Sequence, residues 1–177
     1  MNSLIKKGTL ISLSAIIVAF VFFSGCQQQQ KPDASQQLKP IVDKYIEGWN
    51  TGNFDSFSSI YDSNFVHHES LSPDTKGIAG YEKLISGFRS AYPDGKFVLA
   101  DEIYSENKVA VRWVFTGTNT GPGEIPPTGK SVNTWGVSIL HFANGKINEE
   151  WAAFDNQSFM QQLGYTIMPP KAPKKMK

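Results

Sequence analysis

Apolar residues recur at helical spacing through the early part of the chain and alternate with a period of two through most of the later part. Leu38, Ile41, Val42, Tyr45, Ile46 and Trp49 share one helical face, and Asn50-Thr51-Gly52-Asn53 stops the run. This predicts a first helix with Pro40 in its first turn, where a missing N–H costs little. A short amphipathic piece from Phe54 to Tyr61 leads to an extended segment, Asn64 to Glu69. A second helix carries Tyr81, Leu84, Ile85 and Phe88 on one side and ends before Tyr92-Pro93-Asp94-Gly95. Strands follow at about Lys96 to Ser105, Lys108 to Thr118, Ser131 to Ala143 and Lys146 to Phe154. A final short helix is expected over Gln157 to Leu163, stopped by Gly164. Helices first and a strand meander afterwards predict an α+β domain. Its curved antiparallel (mixed) sheet forms an open cone or barrel, helices pack on one face, and the mouth admits a ligand.

The last hairpin decides which side chains turn inward. A two-residue Asn144-Gly145 loop would pair Ala143 with Lys146, and one face would then mix Trp135, Val137, Ile139 and His141 with Asn148 and Glu150. A three-residue loop with Gly145 left-handed pairs Phe142 with Lys146 instead. One face then holds Trp135, Val137, Ile139, His141, Ile147, Trp151, Ala153 and Asp155, with Glu149 as its other charge. The opposite face holds Thr134, Ser138, Lys146, Asn148 and Glu150. A one-residue slip exchanges faces, so the cleaner separation favours the bulged loop and turns Asp155 inward. Two accounts of Asp155 stay open. It is a buried acid/base, or it caps a helix starting at Asn156 or Gln157.

The N-terminus changes the picture of location. Lys6 and Lys7 precede an apolar run from about Thr9 to Phe23, followed by Ser24-Gly25-Cys26. A charged start, a short apolar stretch and small residues at a cleavage point predict a secretory signal over residues 1–25. The Ser-Gly-Cys ending resembles a bacterial lipobox, with Phe23 in place of the more usual Leu. That implies lipidation of Cys26 and an exported protein anchored in the cell envelope through its N-terminal lipid. Residues 26–35 read as lipidated cysteine and flexible tether, 36–166 as the folded domain, and 167–177 as a basic Pro/Lys-rich tail. With its single cysteine consumed, the domain relies on its core alone. Without signal and tail it carries 11 basic and 16 acidic residues, which argues against nucleic-acid binding.

The domain also resembles the SnoaL-like polyketide cyclases of the nuclear-transport-factor-2-like fold. The matching residues are Trp49-Asn50 with Gly52-Asn53, Phe65-Val66 with His68, Tyr92-Pro93-Asp94, and Val109 to Trp113. Further on come Gly117-Thr118, Pro127 to Lys130, Gly145 to Ile147, Glu150-Trp151, Asp155 and Gln162-Leu163-Gly164. The resemblance implies that Asp155 acts as general acid/base in an aldol or isomerase-type reaction on a small carbonyl compound, without cofactor or metal. It also points to His68 as a pocket residue. The strand reading adds His141 on the face it assigns to Asp155, so Asp155, His68 and His141 are the candidate catalytic residues. Tyr45, Trp49, Arg112, Asn119, Trp135 and Trp151 are the candidate substrate contacts. Many family members have His where this chain has Asn119; Ala153 and the loop at Glu124 also depart from the pattern. No metal site is expected from His67, His68 and Glu69, because adjacent residues of an extended strand diverge and no third partner has a supporting motif. The alternative function is a non-catalytic lipoprotein of the same fold that binds a small apolar ligand or a partner. A homodimer through the exposed sheet face is expected by fold analogy for either.

Overall fold

The structure, a computed structural model, describes residues 33–70, 72–166 and 168. The signal segment, Cys26 and most of the 167–177 tail therefore lie outside the described residues. In order, the elements are α1 (Ala34–Thr51), α2 (Phe57–Ile60), β1 (Tyr61–Glu69), β2 (Ser72–Lys76), α3 (Gly77–Ala91), β3 (Lys96–Ser105), β4 (Lys108–Thr118), β5 (Ser131–Ala143), β6 (Lys146–Phe154) and α4 (Asn156–Gln162).

The first helix starts earlier than its apolar pattern suggests. Asp33 Oδ1 accepts a hydrogen bond from Ser35 N at 3.0 Å, so the cap lies within the segment read as tether. Pro40 consequently sits in the second turn. The carbonyl it leaves without an intrahelical partner belongs to Gln36, on an exposed stretch. Leu38, Val42, Tyr45 and Gly48 form the buried stripe. Gly48 is required there, because a Cβ would overlap the ring of Phe57. Gly52 ends the helix at φ 70°.

Six strands pair in the order β2-β1-β6-β5-β4-β3. All neighbours are antiparallel except β1 and β6, which run parallel, so the sheet is mixed and open. The helices pack on one side of it, as the α+β reading expected. Strand β2 was not anticipated: Ser-Pro-Asp-Thr-Lys is a short, mostly exposed edge strand with no apolar alternation to reveal it.

The β5–β6 hairpin corrects the sequence reading. Ala143 pairs with Lys146 around a two-residue turn, with Asn144 at φ 52° and Gly145 at φ 73°. Phe142 pairs with Ile147, and the register then shifts so that His141 meets Glu149 and Leu140 meets Glu150. Asn148 is the extra residue of a bulge. Beyond it odd residues pair with odd, as expected, but the faces are reversed. Val132, Thr134, Ser138, Leu140 and Glu150 are buried against the helices, whereas Trp135 and Trp151 remain 55% and 51% exposed.

Candidate active site

Between α1, α3, α4 and the inner face of the sheet lies an apolar cavity of about 110 Å³. Helix α1 contributes Tyr45 and Trp49, α3 Phe88 and α4 Phe159, while Phe97 and Trp113 close it from the sheet. Gly136 makes room for this wall, since a Cβ there would overlap the indole of Trp113 and the Ala153 carbonyl.

One polar cluster interrupts the apolar lining. His67 and Glu150 are directly opposed in the parallel β1–β6 ladder, at 5% and 1% exposure. His67 Nδ1 lies 3.1 Å from Glu150 Oε2, which also accepts from the Tyr81 hydroxyl at 2.6 Å. Glu150 Oε1 accepts from the Tyr45 hydroxyl at 2.9 Å. Trp49 Nε1 donates to the Tyr81 oxygen at 3.0 Å, and Trp113 Nε1 to Ser138 Oγ at 3.2 Å. Tyr45 also lies 3.3 Å from Ser138 Oγ, but its single proton goes to the nearer, charged acceptor.

The electrostatics make this cluster an ion pair. Burial pushes the Glu150 carboxyl up, yet the hydrogen bond and charge of His67, aided by Tyr81 and Ser138, outweigh it and hold it below the usual range. Burial works against the His67 imidazolium, but the hydrogen bond and charge of Glu150, with Glu69 and Asp74, keep its pKa above the ordinary value. Tyr45 and Tyr81 are raised well above theirs by burial and by the Glu150 charge, so both phenols remain donors. With Nδ1 on Glu150, Nε2 is the ring atom left to serve a ligand in the cavity that His67 lines. Glu69 and Thr134 add polar groups to the lining.

The expected site residues divide between four places. Tyr45 and Trp49 line the cavity. Asp155, expected inward, is exposed; it caps α4, its Oδ1 accepting from Ser158 N at 2.9 Å. His68, His141, Trp135, Trp151 and Arg112 lie on the outer face. There His68 stacks on Trp151 at 4.0 Å and contacts Asp74 and Glu149, and His141 contacts Glu149 at 2.6 Å. Asn119 is buried in the loop after β4, where its Oδ1 accepts from Thr128 N at 2.7 Å, so it shapes that loop rather than the cavity wall. His67, Glu150, Tyr81 and Ser138 were missed. The available signal was the period of two from Phe65 to His67, which places that histidine on the core side of β1. Among the described residues no group of three or more His, Cys, Asp or Glu side chains is arranged to hold a metal ion.

The family model described as SnoaL-like polyketide cyclase matches residues 39–163. No curated protein matches the chain in sequence. Among solved structures, a candidate polyketide cyclase from Bacillus cereus ATCC 10987 is 26% identical with a TM-score of 0.62, covering 72% of this chain and 80% of its own. A candidate SnoaL-like polyketide cyclase from Jannaschia sp. CCS1 shares the fold at 20% identity and a TM-score of 0.69, over 81% of this chain and 99% of its own. A candidate polyketide cyclase from Streptomyces antibioticus is 22% identical with a TM-score of 0.62, over 73% of this chain and 99% of its own.

Proposed function

Since this chain belongs to the SnoaL-like polyketide cyclase family, we propose that it is a cofactor-free enzyme that moves protons on a small carbonyl compound held in the inner cavity. The observation that carries this reading is the His67–Glu150 ion pair at the polar end of an otherwise apolar cavity. A buried pair contributes little stability compared with an apolar pair of the same shape, so one that borders an internal cavity points to chemistry. His67, protonated and held by Glu150, donates from Nε2 to a carbonyl oxygen. The donor is fixed before charge develops on that oxygen, so it favours the enolate-like state over the ketone. Tyr45 and Tyr81 keep Glu150 ionised through this step by donating to both its oxygens. Exchange of His67 for Gln should lower turnover by about 10²- to 10⁴-fold, the range of a lost proton-transfer group. Substrate is found by mass spectrometry of small molecules that accompany the purified protein. Turnover unchanged in H67Q would remove His67 from the mechanism.

Other features support an envelope-anchored dimer. The apolar run before Ser24-Gly25-Cys26 supports export and lipidation at Cys26, which lipid labelling of wild type against C26S tests. On the outer face two apolar rows cross the strands, Val98–Val114–Trp135 and Ile103–Ala110–Ile139–Trp151. Such a face suits a second copy of the chain. A Trp135→Arg, Ile139→Asp double variant should sediment as monomer. A non-catalytic, partner-binding protein is the second reading. It is favoured by cavity size, since 110 Å³ lies below the ~300–1,000 Å³ of most small-molecule pockets.

A further inference from the structure

Two carboxylates line the inner cavity, and the structure treats them differently. Glu150 is fully engaged by His67, Tyr45 and Tyr81. Glu69, also in the lining, has no side-chain hydrogen bond or ion pair among the described residues and is only partly exposed. It follows His67 by two residues in β1, on the same side of the strand, and is paired with Ala152, another lining residue. Same-face neighbours in a strand are ~6.6 Å apart. That spacing brackets the O=C–C–H unit of a ketone, with a donor at the oxygen and an acceptor at the α-hydrogen.

We propose that Glu69 is the catalytic base of the cavity, taking the proton α to the carbonyl whose oxygen His67 holds; this rests on the acid–base reading above. The α C–H bond breaks and its proton passes to a Glu69 oxygen. The electron pair left behind forms the C=C bond, the carbonyl π pair moves to oxygen, and that oxygen takes the Nε2 proton of His67. The product is the enol, with Glu69 protonated and His67 neutral. In an unsaturated ketone the enol is a dienol, and transfer of the Glu69 proton to its far carbon, with the enol O–H proton returning to His67 Nε2, isomerises the compound. In the aldol step the enol carbon attacks a second carbonyl, whose oxygen takes the Glu69 proton while the enol O–H proton returns to His67. Neither needs an oxidant or reductant.

The surroundings of Glu69 fit a base. Burial pushes its carboxyl above the ordinary value; His67 pulls it back, and the charges of Glu150 and Glu124 push it up again. Glu150 is shifted the opposite way. Two carboxyls driven apart by their environments mark separate roles in acid–base catalysis, one fixed as counter-ion and one able to exchange protons. The lining holds no lysine or arginine among the described residues, so with Glu69 and Glu150 present the cavity favours a neutral ketone over a carboxylate or phosphate.

Cyclohexanone is a neutral, single-ring probe whose α-hydrogens exchange in D₂O at a rate read by proton NMR. Its binding is read separately through the fluorescence of Trp49 and Trp113. Wild type should accelerate exchange, with a rate that rises with pH as Glu69 ionises. Glu69→Gln should slow exchange by at least about 100-fold and abolish that rise. Its melting temperature and cyclohexanone affinity should stay near wild type, and Glu69→Asp should fall between. Exchange in E69Q equal to wild type, with exchange lost in H67Q, overturns Glu69 as the base and leaves the acid–base reading standing. A wild type that fails to accelerate exchange overturns both.

Discussion

The two faces of the sheet carry the same chemistry in opposite settings. Inside, His67 pairs with Glu150; outside, the adjacent His68 pairs with the adjacent Glu149, which also holds His141. The inner pair has side chains 6% and 1% exposed, the outer His68 and Glu149 18% and 31%. Burial, rather than residue type, separates an ion pair closed off from water from a partly hydrated cluster against an indole. Inner groups cannot trade a lost partner for water, while outer ones can.

Removing the inner carboxylate is the severest test of that contrast. Glu150→Gln leaves the His67 imidazolium buried without its counter-ion, and urea unfolding near pH 6 should show a loss of about 3–5 kcal/mol. The pair also sets a pH window. His67 has a folded pKa above 6.5, so its contribution is complete below 6.5 and is lost as pH rises through the folded value. Glu150 has a folded pKa below 4.5, so its contribution is complete above 4.5 and is lost as pH falls through the folded value. Wild-type stability from this pair should therefore be greatest between 4.5 and 6.5, and E150Q should lose that maximum. A stability profile unchanged by E150Q would erase the contrast.

Smaller effects sharpen it. Asp155→Ala removes the cap of α4 and should cost about 0.5–2 kcal/mol, leaving cyclohexanone affinity unchanged because Asp155 is outside the cavity lining. A loss of affinity without loss of stability would restore Asp155 to the site. Glu149→Gln on the outer face should change stability by no more than about 1 kcal/mol. A cost approaching that of E150Q would show that the outer cluster is closed to water.

Much of the architecture was legible from periodicity. Strands β3 to β6 are regular, long and bounded by turn residues, so Lys96–Ser105, Lys108–Thr118, Ser131–Ala143 and Lys146–Phe154 coincide with their expected limits. The site was not legible, because hydrophobic separation misleads on a sheet whose inner face carries a polar centre. Thr134, Ser138 and Glu150 read as a solvent face yet are buried, while Trp135, Ile139 and Trp151 read as core yet are exposed. His68 was preferred to His67 through the resemblance. The period of two from Phe65 to His67 carries the opposite phase and puts His67 on the core side. The Asp155 cap had been one of two open accounts, and local spacing to Ser158 supports it directly.

The Asn148 bulge has one more consequence, for how faithfully the chain must fold. Were the same β6 sequence to run flat from Ile147, Glu149 would face the cavity in place of Glu150. Were β1 to slip by one residue, His68 would replace His67. The doublets His67-His68 and Glu149-Glu150 thus act as spares for one another: an error in phase on both strands would still bring an imidazole to a carboxylate. Its penalty would fall on neighbours without a duplicate, Phe65 on one strand and Trp151 on the other.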